Sequence, residues 1–218
     1  LSIGRPDNLF VTDLQEKFQT AGIEVKNSNL GQLPETTWFH YPSDYLGDIV
    51  HSLNVRSDKL YAESVLRLLS LSAHEKGSAE KGIDIIRKYW QNYEADSLEL
   101  FMYDGSGLAR NNKVSAKYLN CVLKETARDS LIGEYFVQTL PLAGKEGSVA
   151  TIMKHGELPG ELRLKSGSMS DVHAYAGYYT TPQNRYAIVV MINNYTCTRA
   201  QLKQKISTLL TQVLSKKE

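Results

Sequence analysis

A lysine, two serines and a glycine follow one another at the end of a predicted strand, in the stretch ELRLKSGSMSD of residues 161–171. Alternation places Leu162 and Leu164 on one face of this strand and the Lys165 ammonium on the other, more solvated face. A ligand carboxylate could meet this ammonium and the serine hydroxyls, with no Cβ at the glycine to block the backbone N–H groups. The alternative is a strand end with a solvated lysine. The candidate ligand-binding residues are Lys165, Ser166, Gly167 and Ser168.

A second candidate group lies in the sequence RSDKLYAE of residues 56–63, where we predict that Ser57 begins a helix. Its hydroxyl would point into the cleft that borders this helix end. The alternative is structural, because serine is a favoured N-cap and Asp58 suits the positive end of a helix. The stretch DGSG at residues 104–107 has a similar structural alternative, because its residues are typical of turns.

The composition excludes several classes of function. The chain has 218 residues, 42% of them hydrophobic, with 25 basic and 24 acidic side chains and a formal net charge of +1. Such a balance argues against a broad nucleic-acid or anionic-membrane interface, and it favours a small or discrete ligand. No apolar run approaches the roughly 20 residues that a membrane-spanning helix needs.

Neither a metal site nor a cofactor is predicted. The two cysteines, Cys121 and Cys197, are far apart and show no CxxC or Cys/His spacing. The histidines are scattered without ligand spacing, and their order supports no Ser-His-Asp triad. They are His40, His51, His74, His155 and His173.

The order of elements needed to position these residues is helices first and strands last. Helical periodicity is present in NLFVTDLQEKFQT and in five further stretches up to residue 140, broken by the turn DGSGLARNN after a short strand, SLELFMY. Three strand-like runs follow, ELRLKSGSM, DVHAYAGYYT and RYAIVVMINNY, the last two joined by a TPQN hairpin. We therefore predict an α+β fold, mainly helical over 1–140, with an antiparallel sheet and a last helix over 160–218.

The apolar spacing also predicts which helix faces are buried. For the helix that starts near residue 57 these are Leu60, Tyr61, Val65, Leu68 and Leu69. For the last helix they are Leu202, Ile206, Leu209 and Val213.

Taken together and in this order, the motifs resemble the penicillin-binding proteins of the D-alanyl-D-alanine carboxypeptidase class related to penicillin-binding protein 4. The resemblance runs along the whole chain, from NLFVTDLQEKFQTAGIEV through LPLAGKEGSV and GELRLKSGSMSDVHAYAGYYT to the last helix. It implies a β-lactamase/transpeptidase-like fold, of which residues 1–218 would be the C-terminal part. It also implies a serine peptidase built on Ser-x-x-Lys, Ser-x-Asn and Lys-Thr-Gly motifs.

Carried over residue by residue, the resemblance implies a role for each candidate. Ser57 falls on the second-motif serine, which helps to move a proton between the nucleophile's lysine and the leaving amine. Lys165 falls on the third-motif lysine, and Ser166 replaces the threonine while keeping a hydroxyl. The backbone N–H of Ser168 would form half of an oxyanion hole, beside the open edge at Gly167.

The chain departs from the family pattern at two points. Lys59 stands where the second motif has asparagine, so the resemblance makes it a further substrate-binding candidate. An ammonium cannot accept a hydrogen bond as an amide does, and we expect this to alter the positioning of the substrate. The Ser-x-x-Lys nucleophile belongs far upstream of Ser57, but the chain's single such sequence is Ser78 to Lys81, downstream and explained by a helix cap. We therefore expect that the N-terminal part of the family fold is absent and that the chain alone is inactive.

Two functional interpretations remain open. The chain is part of a serine-type carboxypeptidase or endopeptidase that acts on peptidoglycan stem peptides, or it is a degenerate relative that binds such peptides without chemistry. The expected partners are a peptidoglycan peptide or a β-lactam. Because the last strand would lack its family neighbour, we also expect a homo-oligomer or association with a missing N-terminal segment. The resemblance further implies a periplasmic or exported location.

Overall fold

The computed structural model describes residues 6–25, 42–73, 76–93, 99–153 and 158–216. The chain divides into two compact units, Leu1–Ser43 and Asp44–Glu218. In the first unit, helix α1 (Pro6–Thr20) confirms the helix predicted there, and Gly22 follows it with a positive φ of 72°. His40, His74 and His155 lie outside the described residues. So does the stretch NSNLGQLPETTW of residues 27–38, whose turn-forming residue types predict a connection.

The second unit begins with three helices, α2 (Leu46–Arg56), α3 (Lys59–Ser72) and α4 (Ala79–Trp90). A Cβ on Gly82 of α4 would lie 2.3 Å from the Leu66 carbonyl oxygen of α3, so this contact requires a glycine. Two short strands, β1 (Leu100–Phe101) and β2 (Lys113–Val114), pair antiparallel around the loop of residues 102–112. Residues 97 and 98 of the predicted SLELFMY strand lie outside the described residues, and of residues 99–103 only Leu100 and Phe101 are in a strand.

Helices α5 (Ala116–Arg128) and α6 (Gly133–Thr139) and a 3₁₀ turn (Gly147–Val149) precede the main sheet. The sheet is the predicted three-strand antiparallel meander, formed in that order by β3 (Glu161–Met169), β4 (Val172–Thr180) and β5 (Arg185–Asn193). The hairpin between β4 and β5 closes with a hydrogen bond from the Thr181 N–H to the Asn184 carbonyl at 2.8 Å. Helix α7 (Arg199–Leu214) ends the described chain.

The sheet lies between two helical layers. Its first face packs on α7 through a cluster that includes Leu162, Leu164, Tyr175, Leu202 and Ile206. On its second face, Tyr178 packs against residues of α5 and α6 and donates from its hydroxyl to the Leu123 carbonyl at 2.7 Å. These layers confirm the α+β class. No helix among the described residues is long and apolar enough to cross a bilayer.

The predicted buried faces of two helices are partly wrong. In α3 the buried positions are Leu66 and Ser70, whereas Leu60 is 74% exposed and Tyr61 and Leu68 are also exposed. Val65 and Leu69 are half-buried. Since leucines occur on most sides of this helix, periodicity does not select its face, and the close contact between Leu66 and Gly82 does.

Helix α7 shows the same kind of difference. Leu202 and Ile206 are buried as predicted, but Leu210 and Leu214 continue the buried stripe. The predicted Leu209 and Val213 are about half exposed, at 49% and 48%. A strict four-residue repeat fits the sheet here, and the sequence offers an apolar residue at both 209 and 210.

Candidate active site

Ser57 lies at a corner between two helices. It is the C-cap of α2 in the left-handed conformation, with φ 55° and ψ 46°, and its N–H donates to the Leu53 carbonyl. Asp58 is the N-cap of α3 and accepts from the Tyr61 N–H at 3.0 Å. The prediction that Ser57 begins a helix is therefore wrong by one residue. A left-handed conformation costs a non-glycine residue about 1 kcal/mol, and it turns the serine out of both helices.

Lys165 reaches this corner from the sheet. Strand alternation places it opposite Ala176, on the second face of the sheet, which packs against α5 and α6. Its Nζ donates to the Ser57 Oγ at 2.6 Å and to the Ser166 carbonyl at 3.0 Å. The structure thus brings together two candidates that are 108 positions apart in the sequence.

The charge of Lys165 is disfavoured in this place. Burial first, and the positive charge of Lys59 second, lower the pKa of the Lys165 ammonium below its usual value. Among the described residues, no carboxylate forms a salt bridge with either lysine. The corner therefore presents unneutralised positive charge, which suits an anionic ligand group.

Lys59, the departure from the family motif, lies at the first position of α3 and points towards the loop of residues 102–112. Its Nζ donates to the Ser106 carbonyl at 3.4 Å, a long hydrogen bond. A cation at a helix N-terminus opposes the helix dipole, so this placement is unfavourable for α3 itself.

The loop beside Lys59 is held in one shape by Asp104. Burial would raise the pKa of this carboxyl, but hydrogen bonds from Asn112, Ala109, Ser106 and Leu108 together lower it. The DGSG stretch is therefore an ordered turn, which its residue types had predicted. Its Gly105 N–H donates to the Glu63 carboxylate at 2.9 Å, which fixes the loop to α3.

The outer edge of β3 is hydrogen-bonded to other backbone groups at its start and is unpaired further along. At its start, the Leu162 carbonyl accepts from the Ala143 N–H at 2.8 Å, and the Leu164 N–H donates to the Pro141 carbonyl at 3.0 Å. By the two-residue period, the backbone groups of Ser166 and Ser168 point to the same outer edge. No strand among the described residues pairs with this later part of the edge, so it is open to a ligand backbone.

Gly167 lies in the middle of this open edge. Its φ is not positive, and a Cβ added there would meet only the Ala174 Cβ, at 4.0 Å. Neither backbone conformation nor packing among the described residues therefore requires a glycine at this position. The glycine is better explained by a need for space beside the strand, where a ligand can approach the backbone.

Ser148, in the 3₁₀ turn, is a site residue that the sequence did not indicate. Its Oγ lies 2.6 Å from the Ser166 Oγ. The turn is held against the end of α2, since a Cβ on Gly147 would lie 2.3 Å from the Val55 carbonyl oxygen and the Gly147 φ is 50°. This glycine was the available indication, although its partner in α2 is remote in sequence.

Ser78 behaves as a helix cap. It is the N-cap of α4, its hydroxyl accepts from the Lys81 N–H at 3.4 Å, and its own N–H donates to the Ser70 Oγ at 2.8 Å. It therefore lies beside the C-terminal part of α3, about 16 Å along that helix from Lys59 at a rise of about 1.5 Å per residue. The capping explanation of this Ser-x-x-Lys sequence agrees with these contacts.

No cofactor follows from the side chains of the site. Within the described ranges, no three His, Cys, Asp or Glu side chains are grouped so that they could hold a metal ion. The site consists of hydroxyls, ammonium groups and backbone N–H groups, which suits acyl or proton transfer on an anionic substrate.

Comparison with known proteins relates this arrangement to one enzyme family. The D-alanyl-D-alanine carboxypeptidase of Actinomadura sp. (strain R39) is 25% identical over 193 residues, which cover 83% of this chain and 36% of that protein. The D-alanyl-D-alanine carboxypeptidase DacB of Haemophilus influenzae is 26% identical over 206 residues, 90% of this chain and 42% of that protein. The chain thus spans well under half the length of these curated relatives.

Solved structures show the same fold. Penicillin-binding protein 4 (dacB) from Haemophilus influenzae, in complex with a β-lactam, has a TM-score of 0.74 at 24% identity, over 98% of this chain and 52% of that one. The Bd0816 predatory endopeptidase from Bdellovibrio bacteriovorus has a TM-score of 0.63 at 14% identity, over 99% and 57%. The model of the D-Ala-D-Ala carboxypeptidase 3 (S13) family matches residues 1–216, and the chain belongs to this family.

Proposed function

We propose that the chain provides the substrate-recognition and proton-transfer part of a serine-type D-alanyl-D-alanine carboxypeptidase or endopeptidase that acts on peptidoglycan peptides. The observation that carries this proposal is the 2.6 Å contact between the Lys165 ammonium and the Ser57 hydroxyl, beside an open strand edge. Membership of the S13 family and the names of the curated relatives support it.

The proposed recognition step is the docking of a peptide's terminal carboxylate. Lys165 supplies an ammonium with no carboxylate partner among the described residues, and Ser166 supplies a hydroxyl. Lys59 adds a second positive charge close enough to lower the pKa of Lys165. A carboxylate bound here would be paired, and it would remove the repulsion between the two lysines.

The proposed position of the reacting carbonyl is along the outer edge of β3. The Ser168 N–H points to that edge, where an N–H group can polarise a carbonyl and stabilise the oxyanion that forms. The missing side chain at Gly167 lets the substrate lie close to the strand, as in other cases of strand addition to an open edge.

The proposed proton transfer uses Ser57 as a relay. Because its oxygen accepts a hydrogen bond from the Lys165 ammonium, its own O–H is free to donate outward. As the peptide bond breaks, the Ser57 proton passes to the leaving amine and a proton from Lys165 replaces it.

Neither Ser57 nor Ser78 is the attacking serine in this proposal. Ser78 is occupied as a cap of α4, and Ser57 is the relay in this proposal. We propose that the nucleophile is supplied by another part of a larger protein in which this chain takes part, and that the activity belongs to that protein. An exported location and the expected self-association are parts of the same proposal.

A second candidate function is a binding protein that recognises D-alanyl peptides without cleaving them. Lys59 favours it, because an ammonium replaces the amide of the family's second motif and contacts the Ser106 carbonyl instead. Carboxylate docking at Lys165 is common to both functions.

The experiment that tests the docking step is a calorimetric titration with an N-acetylated peptide that ends in D-alanyl-D-alanine, against the same peptide ending in an amide. We expect the acid to bind at least about tenfold more tightly, because a charge-assisted contact is worth about 1.5–3 kcal/mol. Gly167→Ala should abolish this binding while the melting temperature stays unchanged or rises.

Gly47→Ala is the control, since its φ is not positive and a Cβ there meets nothing within 4 Å, so the added methyl group is as unhindered as at Gly167, which has one ordinary contact at 4.0 Å. It should leave the affinity for the acid unchanged. Equal affinity for acid and amide, or normal binding by Gly167→Ala, would overturn the proposed docking step.

A further inference from the structure

A cavity of about 330 Å³ lies at the C-terminal end of α4, where that helix meets α5 and the turn before α6. Aliphatic side chains of α3 and α4 form one part of its lining, and a tyrosine, a tryptophan and a second tyrosine form another. Its size is that of a small-molecule site. It shares no residue with the candidate active site.

The aromatic side chains form a compact cluster. Trp90 lies 5.1 Å from Tyr89 and 5.2 Å from Tyr93 between ring centroids, and the two tyrosines are 5.6 Å apart. Their planes are inclined to one another by between 43° and 88°, so the rings face several directions. The face of each ring carries partial negative charge, which attracts cations that come within about 6 Å.

Two carboxylates complete the lining, Glu125 at the end of α5 and Asp129 just after it. Backbone N–H groups of Ile132 and Leu131 hold the pKa of Asp129 below its usual value, so it stays ionised. Glu125 is paired with Arg128 at 2.7 Å. Among the lining residues and this partner, one negative charge therefore remains in excess.

The two carboxylates also affect the pKa of one of the aromatic residues. The hydroxyls of Tyr89 and Tyr93 lie 3.4 Å apart. The pKa of Tyr93 is raised, first by this hydrogen bond and in smaller part by the negative charges of Glu125 and Asp129. Aromatic rings and a carboxylate in excess thus line the same cavity.

We propose that this cavity binds an organic ammonium group, enclosed by Tyr89, Trp90 and Tyr93 and neutralised by Asp129. An anion would be repelled by the carboxylates. A neutral apolar ligand would use the aliphatic lining but would gain nothing from the carboxylates. Two sources supply this chemistry, the primary amine of a peptide side chain and a quaternary ammonium group.

The test compares two probes of the same shape. Choline and 3,3-dimethylbutan-1-ol differ in that a quaternary nitrogen replaces a quaternary carbon, so any difference in affinity measures the charge. Trp90 fluorescence reports binding in the full chain, with Trp38→Phe as background because Trp38 is the second tryptophan. We expect choline to bind about tenfold more tightly than the alcohol. Nα-acetyl-lysinamide tests the primary amine in the same assay.

Asp129→Asn is the decisive variant, because asparagine keeps an oxygen that can accept from the Leu131 and Ile132 N–H groups at 2.8 and 3.1 Å. It should reduce the preference for choline by about fivefold and leave binding of the alcohol unchanged. Asp171→Asn makes the same substitution at a left-handed position that asparagine tolerates, and it should change neither affinity.

The stronger binder of choline and Nα-acetyl-lysinamide identifies the source of the ammonium group, and saturable binding of either supports the site. Equal affinity for choline and the neutral alcohol, without tighter binding of Nα-acetyl-lysinamide, would overturn the proposal. So would a lack of saturable binding by both cations, or a preference for choline that Asp129→Asn leaves intact.

Discussion

At the scale of single residues, the candidate site is an unfavourable arrangement in the absence of an anion. Lys165 is half-buried and Lys59 lies at the positive end of α3, and no carboxylate among the described residues pairs with either of them. Burial and the neighbouring charge both lower the pKa of Lys165. A ligand carboxylate would reverse both effects, and by linkage its affinity should fall as the pH rises through this lowered pKa.

Lys59→Asn should raise the pKa of Lys165, because it removes the neighbouring positive charge and leaves burial as the remaining cause of the shift. Lys59→Arg is the matched control, since it keeps the charge and should keep the pKa low. NMR titration of the Lys165 side-chain ε-carbon measures the pKa in each protein. Identical pKa values in the Asn and Arg variants would show that Lys59 exerts no electrostatic influence on Lys165.

The residues of the site were only partly predictable. Lys165, Ser166, Gly167 and Ser168 follow one another on one strand, so alternation and the family motif were enough to select them. Ser148 was missed because its place depends on a turn held against α2 through Gly147. Such a contact between remote segments leaves no periodic pattern in the sequence. The roles assigned to these side chains in substrate binding and catalysis remain predictions.

At the scale of elements, predictions succeeded where the local pattern had a single solution. The three strands and their hairpin are confirmed, because alternation and the turn residues agree there. The buried faces of α3 and α7 were partly wrong, because apolar side chains lie on several sides of each helix. Contacts such as Leu66 with Gly82 decide the orientation, and they come from partners elsewhere in the chain.

The corner between α2 and α3 was also predicted incorrectly. The sequence RSDK was interpreted as one helix start, whereas it holds a C-cap at Ser57 and an N-cap at Asp58. Because no residue separates the two caps, Ser57 and Asp58 form one short polar stretch in the sequence. The structure nevertheless has two helix ends there. This geometry directs the serine hydroxyl to the Lys165 ammonium.

At the scale of the whole molecule, the Asp44–Glu218 unit is a sheet between two helical layers, with the site at one end of β3. Strand β5 is the other edge of the sheet among the described residues, so the expected association through this strand stays a prediction. The chain covers 36% and 42% of two curated relatives. The activity of a whole enzyme is therefore proposed for a larger protein.

We expect that the 218-residue chain alone is not acylated by a penicillin. Covalent labelling needs a serine activated by an adjacent base, and Ser57 accepts its hydrogen bond from an ammonium that carries no free lone pair. Intact mass after incubation with a fluorescent penicillin measures the outcome. A mass gain that Ser57→Ala or Ser78→Ala abolishes would identify that serine as a nucleophile and contradict this expectation.

The most direct test of carboxylate docking is the pKa of Lys165 itself, measured by NMR with and without a peptide that ends in D-alanyl-D-alanine. Because a carboxylate beside the ammonium favours its charged form, the acid should raise this pKa towards its usual value. The same peptide ending in an amide should leave the pKa low. If the acid saturates the protein and the pKa of Lys165 does not change, the carboxylate binds elsewhere and the proposed role of the β3 edge is wrong.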